Sequence, residues 1–225
     1  MPALRLALLR IGGHVTPAKL ESLRFVLGYL ELGQWLHGEH AEAALERSAN
    51  KFALFEIACR HVNGQQPLYL EFGVFRGRSM QWWSSHLSQP GANLVGFDSF
   101  EGLPEDWRDQ LRSGHFKTGG PPQIDDSRVA FEVGWFKDTL PHFSVPEHDQ
   151  LIINVDCDLY SSAITVLRWV EPYVRPGTLI YFDEFCDRDH EMRAFREWRA
   201  RLPIKVSPIG FAEGGVSWLF EVTSH

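Results

Sequence analysis

Hydrophobic positions follow two regimes along the chain. Up to about Arg60 they recur at helical spacing. Leu20, Leu23, Phe25, Val26, Tyr29 and Leu30 form a stripe on a segment opened by Thr16-Pro17, a capping residue followed by a proline suited to a first helical turn. A second helix is predicted over about 41–62, with Ala44, Leu45, Phe52, Leu54, Phe55, Ile57 and Ala58 as its apolar side and Asn63-Gly64 as its stop. From Pro67 the pattern becomes short apolar runs, at 68–72, 93–97, 128–133, 150–155 and 178–182, separated by polar stretches. Runs apolar almost throughout suit parallel strands buried on both faces. The segments 79–87 and 161–174 supply clear intervening helices, whereas the last runs, about 204–207 and 216–222, have none between them. They predict an antiparallel hairpin at one edge. The whole reads as an α/β fold: a doubly wound, mostly parallel sheet over 65–225, preceded by a helical segment, 1–64, that caps it or contacts another subunit.

Composition narrows the partners. The chain has 225 residues, 44% of them hydrophobic, enough to bury roughly 70% of its unfolded surface without disulfides. The balance of 22 basic and 29 acidic residues, net -7, disfavours nucleic acid and anionic membrane surfaces. Three cysteines, an odd and sparse set, fit a reducing compartment. The apolar run within residues 1–10 is short, is bracketed by Arg5 and Arg10, and lacks a small-residue cleavage pattern. No stretch approaches the roughly 20 apolar residues of a membrane span. The expectation is a soluble, cytoplasmic protein, with an interfacial first helix as the lesser alternative.

Unusual polar residues gather where the predicted strands end, which is where a doubly wound sheet places its ligands. The first run ends in Glu71-Phe-Gly73-Val-Phe-Arg-Gly77-Arg-Ser79. Its glycines admit close backbone approach, and a helix start near Ser79 offers free N–H groups. A plain strand-to-helix turn is the alternative reading. The second run ends in Asp98-Ser99, placed to meet ribose hydroxyls or, equally, to cap a helix. The fourth ends in Asp156-Cys-Asp158 and the fifth in Asp183-Glu184. Carboxylates at strand ends are costly unless paired. A hard divalent cation is one natural partner, and anchoring of backbone amides is the other reading. The stretch of about 103–123 lacks periodicity, as lids often do. Gly134-Trp135 follows the third run and could stack on a planar ring, although aromatics there are usually core. No histidine or cysteine spacing suggests zinc.

These segments, with 98–104 (Asp-Ser-Phe-Glu-Gly-Leu-Pro) and 134–141 (Gly-Trp-Phe-Lys-Asp-Thr-Leu-Pro), resemble the macrocin O-methyltransferase family in order, over about 67–198. The resemblance implies a class I, Rossmann-like methyltransferase using S-adenosylmethionine, with Mg2+ assisting methyl transfer to a hydroxyl of a sugar or other small hydroxylated metabolite. Carried over by position, Glu71, Gly73, Gly77, Ser79, Asp98, Ser99, Trp135 and Asp156 would border the cofactor. Asp158, Asp183 and Glu184 would ligate the metal, with Asp158 also the base. Where the family commonly pairs two aspartates, this chain has Asp183-Glu184. A homo-oligomer through the N-terminal helices is a further expectation. Two other readings stay open: a haloacid-dehalogenase-type, magnesium-dependent phosphatase suggested by Asp156-x-Asp158, and a non-catalytic cofactor-binding module.

Overall fold

The computed structural model describes residues 2–39, 44–108 and 110–224. Two helices open the chain, α1 (Pro2–Gly12) and α2 (Pro17–Glu39). Strand β1 (Glu46–Ser48) and helix α3 (Lys51–His61) follow. The alternating part comprises β2 (Pro67–Phe72), α4 (Arg78–His86), β3 (Asn93–Asp98), β4 (Val129–Val133), α5 (Phe136–Thr139), β5 (Gln150–Val155), α6 (Tyr160–Val170), β6 (Leu179–Phe182) and α7 (Glu191–Arg199). Strands β7 (Lys205–Ala212) and β8 (Ser217–Ser224) close it.

All eight strands form one sheet in the order β1-β7-β8-β6-β5-β2-β3-β4. Strands β2 to β6 run parallel, β8 is antiparallel to β6, and β7 is antiparallel to β8. The order reverses between β2 and β5, the switch point at which open α/β sheets bind ligands. The doubly wound architecture expected from the apolar runs is thus present. The hairpin is also present, but it is not outermost, because β1 pairs parallel with β7 beyond it.

The predicted helix over 41–62 is corrected. Residues 46–48 are strand, and the helix begins only at Lys51, where the Asn50 side chain accepts the Ala53 N–H at 3.0 Å. A distant partner strand and a strong N-cap override the apparent periodicity between Leu45 and Phe52. Residues 41–43 lie outside the described part. The helix expected after Thr16-Pro17 is present as α2; of its stripe Leu20, Leu23, Val26 and Leu30 are exposed, and the buried residues of that helix are Gly28 and Leu32. A Cβ on Gly28 would collide with the Cys186 carbonyl oxygen, so glycine sets how closely α2 approaches the loop after β6. Cys59, Cys157 and Cys186 are free. No helix among the described residues is long and apolar enough to cross a membrane.

Strand alternation divides the core. Leu68, Leu70 and Phe72 face the layer of α6 and α7, where Phe182, Phe195, Trp198 and Phe220 pack. Tyr69 faces the opposite layer, with Leu54 and Phe55 of α3 and Met80 and Trp83 of α4. Period-two alternation therefore turns Glu71 toward α3, and it is 1% exposed. Phe195 stacks on Phe220 with ring centroids 5.1 Å apart, linking α7 to the sheet. Phe195→Ala is expected to destabilise the fold by about 3–5 kcal/mol, measured as a lowered urea midpoint with the slope unchanged.

Candidate active site

Register brings the polar strand ends into one row. Phe72 sits level with Phe97 on one side and Val155 on the other, and Val155 with Phe182. The next residue of each strand continues the ladder: Gly73 N–H donates to Phe97 O at 3.0 Å, Asp156 N–H to Phe72 O at 2.9 Å, and Asp183 N–H to Val155 O at 3.1 Å. Gly134 N–H reaches Asp98 O at 3.0 Å. Gly73 has φ 95°, and a Cβ there would run into the Asp156 carbonyl oxygen, so only glycine fits.

Asp98 shapes the turn beyond β2. One carboxylate oxygen accepts the Val74 and Phe75 N–H groups at 2.9 and 2.8 Å, and the other accepts the Phe100 N–H at 2.7 Å. The helix-cap reading of this acid is not realised, because no helix starts there; its carboxylate instead anchors backbone amides of the turn. It does not exclude the ribose role, since each carboxylate oxygen has two lone pairs and the side chain borders open space. The same clamp holds Phe75 at φ 52° and partly exposed, edge-on to Phe116 of the 103–123 loop at 5.4 Å. Strained, exposed aromatics of this kind occur at ligand clamps.

Above the row lies a cavity of about 770 Å³. Gly73, Ser79, Asp98, Ser99, Trp135, Asp156, Asp158, Asp183 and Glu184 all line it. Glu71 and Gly77 do not. Gly77 caps α4 with φ 73° and packs against Pro122, whereas Glu71 lies behind the row. Trp135 and Phe136 at the β4 end and carboxylates at the β5–β6 end give the cavity one aromatic side and one acidic side. That size and lining fit a ligand joining a planar base, a ribose and a cationic centre.

The acidic end is crowded. Asp158 has φ 61° in a turn closed by Leu159 N–H on Cys157 O at 2.6 Å, and its carboxyl is pushed up to about 7 by burial, then by Glu184 and Asp183. Burial, reinforced by Asp183, raises Asp156 well above the usual carboxylate range. Glu184 is also raised by burial, despite Arg108 beside it. Lys51 meets this charge from the first turn of α3, with its Nζ 3.4 Å from Asp156 Oδ2 and 3.6 Å from Asp183 Oδ1. Burial alone would lower the ammonium's pKa, but Asp156, Asp183 and Glu71 outweigh it and raise it. Asp183 Oδ1 also accepts the Tyr181 hydroxyl at 2.5 Å. Arg108, on the 103–123 loop, donates to Glu184 at 2.8 Å and Asp187 at 2.9 Å, reaches Glu21 of α2 at 3.3 Å, and stacks on Trp107.

This arrangement does not fit a divalent ion. Two of the three carboxylates expected to ligate it are already paired with protein cations, Asp183 with Lys51 and Glu184 with Arg108. Among the described residues no three His, Cys, Asp or Glu side chains are gathered to hold a metal.

Lys51, Arg108 and Phe75 escaped sequence reasoning. Lys51 stands 105 residues from Asp156 and Arg108 stands 76 from Glu184, and neither spacing leaves a local signal. The one available hint was the excess of strand-end carboxylates, which demanded cations from somewhere.

A family model described as a methyltransferase domain matches residues 70–185, just over half of the chain. The chain is 29% identical over 211 residues to the 8-demethyl-8-(2,3-dimethoxy-alpha-L-rhamnosyl)-tetracenomycin-C 4'-O-methyltransferase of Streptomyces olivaceus, covering 82% of this chain and 77% of that one. It is 33% identical over 93 residues to the demethyldecarbamoylnovobiocin O-methyltransferase of Streptomyces niveus, covering 41% of this chain but only 35% of that enzyme. Among solved structures, CalS11, a calicheamicin methyltransferase, superposes with a TM-score of 0.58 over 92% of this chain and 94% of its own, at 19% identity. That likeness shows a shared fold.

Glu71 yields a prediction on stability. Burial, the largest cause, raises its carboxyl from 4.5 to about 8, although the Tyr69 hydroxyl donates to it at 3.0 Å. An acid whose pKa is raised on folding contributes stability below its unfolded pKa and loses it as pH climbs through the folded value. Wild-type stability should therefore fall between pH 5 and 8 by on the order of 3 kcal/mol more than in Glu71→Gln, whose amide oxygen can still accept from Tyr69. Urea denaturation of both proteins across that range checks it; parallel curves would contradict it.

Proposed function

The chain belongs to the methyltransferase-domain family and is an S-adenosylmethionine-dependent methyltransferase; on that premise we propose that it methylates a hydroxyl of a sugar or similar small hydroxylated metabolite, with the strand-end cavity as its active site. The observation that carries this reading is the meeting of four separate strand ends, with their glycine turn, acids and Trp135, around one cavity. The acceptor class rests on the Streptomyces olivaceus relative, whose name describes O-methylation of a rhamnosyl-tetracenomycin.

The cofactor supplies a sulfonium methyl that is already electrophilic, so the protein's work is alignment and proton removal. Gly73 and Asp98 set the backbone turn against which the ribose would lie, and Trp135 and Ser99 would flank the adenine. Asp158 faces the acceptor side, held at its strained turn. As the general base it takes the acceptor's hydroxyl proton. With the cofactor bound, the acceptor oxygen would gain the methyl group as the C–S bonding pair returned to sulfur, giving an ether and a neutral thioether. A carboxylate in an acidic, half-buried setting is a stronger base than one in water, which suits so weak an acid as a sugar hydroxyl.

The phosphatase alternative is not favoured. Its D-x-D loop belongs after a first strand, whereas Asp156-Cys-Asp158 follows β5 and shares its cavity with the glycine turn after β2.

Two variants separate base from cofactor holder. Asp158→Asn keeps a residue type that tolerates positive φ and should reduce transfer of labelled methyl to hydroxylated glycosides by ~100-fold or more, with S-adenosylhomocysteine binding retained. Asp98→Ala should weaken that binding first, because it releases three backbone N–H groups of the turn. Full turnover in Asp158→Asn would remove the base assignment.

A further inference from the structure

The proposed hydroxyl methylation rests the acidic end on a cation, and we propose that Lys51 is that cation: its ammonium stands between Asp156 and Asp183 in place of a divalent metal and positions the acceptor oxygen. The inference rests on the methyltransferase reading of the cavity and adds the identity of the charge that the acids require.

Geometry carries it. The ammonium lies within 3.4 Å of Asp156 and 3.6 Å of Asp183, carboxylates at the ends of two neighbouring parallel strands. A metal ion bridging those acids would need the same space. Lys51 also lines the cavity, with its side chain 24% exposed, so it reaches ligand as well as the acids. An ammonium has three N–H donors. One donates to Asp156, and two remain for Asp183, 3.6 Å away, and for an oxygen in the cavity.

The lysine is also held in place. It is the first residue of α3, whose start is fixed by the Asn50 cap, and the helix packs through Phe55 on Trp83 and Tyr181. A cation is disfavoured at a helix N-terminus by the backbone dipole. Its placement there is set by the acids across the cavity. Arg108 takes Glu184, a second oxygen donor of the expected metal set, and the third, Asp158, is left to act as the base.

Chemically, an ammonium against the acceptor oxygen does part of what a Lewis acid would do. It favours the developing alkoxide and fixes its direction while Asp158 removes the proton. Lys51 itself transfers no proton in this scheme.

The test uses the whole chain, freed of metal by chelator and dialysis. Magnesium chloride alone is titrated into wild type and into Lys51→Ala, with heat and thermal midpoint as readouts. S-adenosylhomocysteine binding is measured in parallel. Wild type should show no magnesium heat and no rise in Tm. Lys51→Ala should gain magnesium affinity, with a Tm rise of roughly 5 °C at a hundredfold excess over Kd. Lys51→Met, which keeps the side-chain volume, serves where the alanine variant fails to fold. Magnesium binding by wild type that Asp183→Asn removes would overturn the inference, as would folded Lys51 variants that stay blind to magnesium. Absence of S-adenosylhomocysteine binding by wild type would instead strike the methyltransferase reading itself.

Discussion

Four carboxylates at the ends of two adjacent parallel strands impose the constraint that the rest of the site answers to. Asp156 and Asp158 after β5, and Asp183 and Glu184 after β6, are brought side by side because Val155 and Phe182 pair in register. Like charges gathered in a half-buried site destabilise the fold unless opposite charges or protons enter. Both occur. Lys51 and Arg108 arrive from distant segments, and burial raises the pKa values of Asp156, Asp158 and Glu184.

That constraint also ties the outer segments to the sheet. Arg108 binds the 103–123 loop to Glu184 and Asp187 and reaches Glu21 on α2, while Ser161 at the start of α6 donates to Glu105 of the same loop at 2.6 Å. The loop is therefore fastened on two sides of the cavity mouth. A ligand that competed for Glu184 would loosen one fastening, which gives the loop a physical reason to respond to what occupies the cavity. On the β3 side, Asp98 performs the equivalent task through backbone amides.

Legibility in the sequence followed locality. The five central strands, their parallel character and the strand-end positions of Gly73, Asp98, Asp158 and Asp183 all follow from short-range patterns, and nine of the eleven candidate residues border one cavity. Glu71 and Gly77 sit elsewhere for local reasons that period-two alternation and αL capping explain after the fact. Strand β1 was hidden because three polar residues, Glu46-Arg-Ser, become strand only when β7 lies beside them. Lys51 and Arg108 were hidden because the demand for a cation is legible at the acids but not at the residue that meets it. The exposed leucines of α2 belong to a stripe that is legible as helix, while what it faces is not written in its spacing.

The most direct test lies in where the cofactor and the cation sit together. A crystal structure of the chain grown with S-adenosylhomocysteine and magnesium chloride measures both. The nucleoside is expected against the Gly73–Asp98 turn and Trp135, the sulfur toward Asp158, and Lys51 still between Asp156 and Asp183 with no metal there. A product molecule bound elsewhere, or a magnesium ion bridging those two carboxylates with Lys51 displaced, would contradict it.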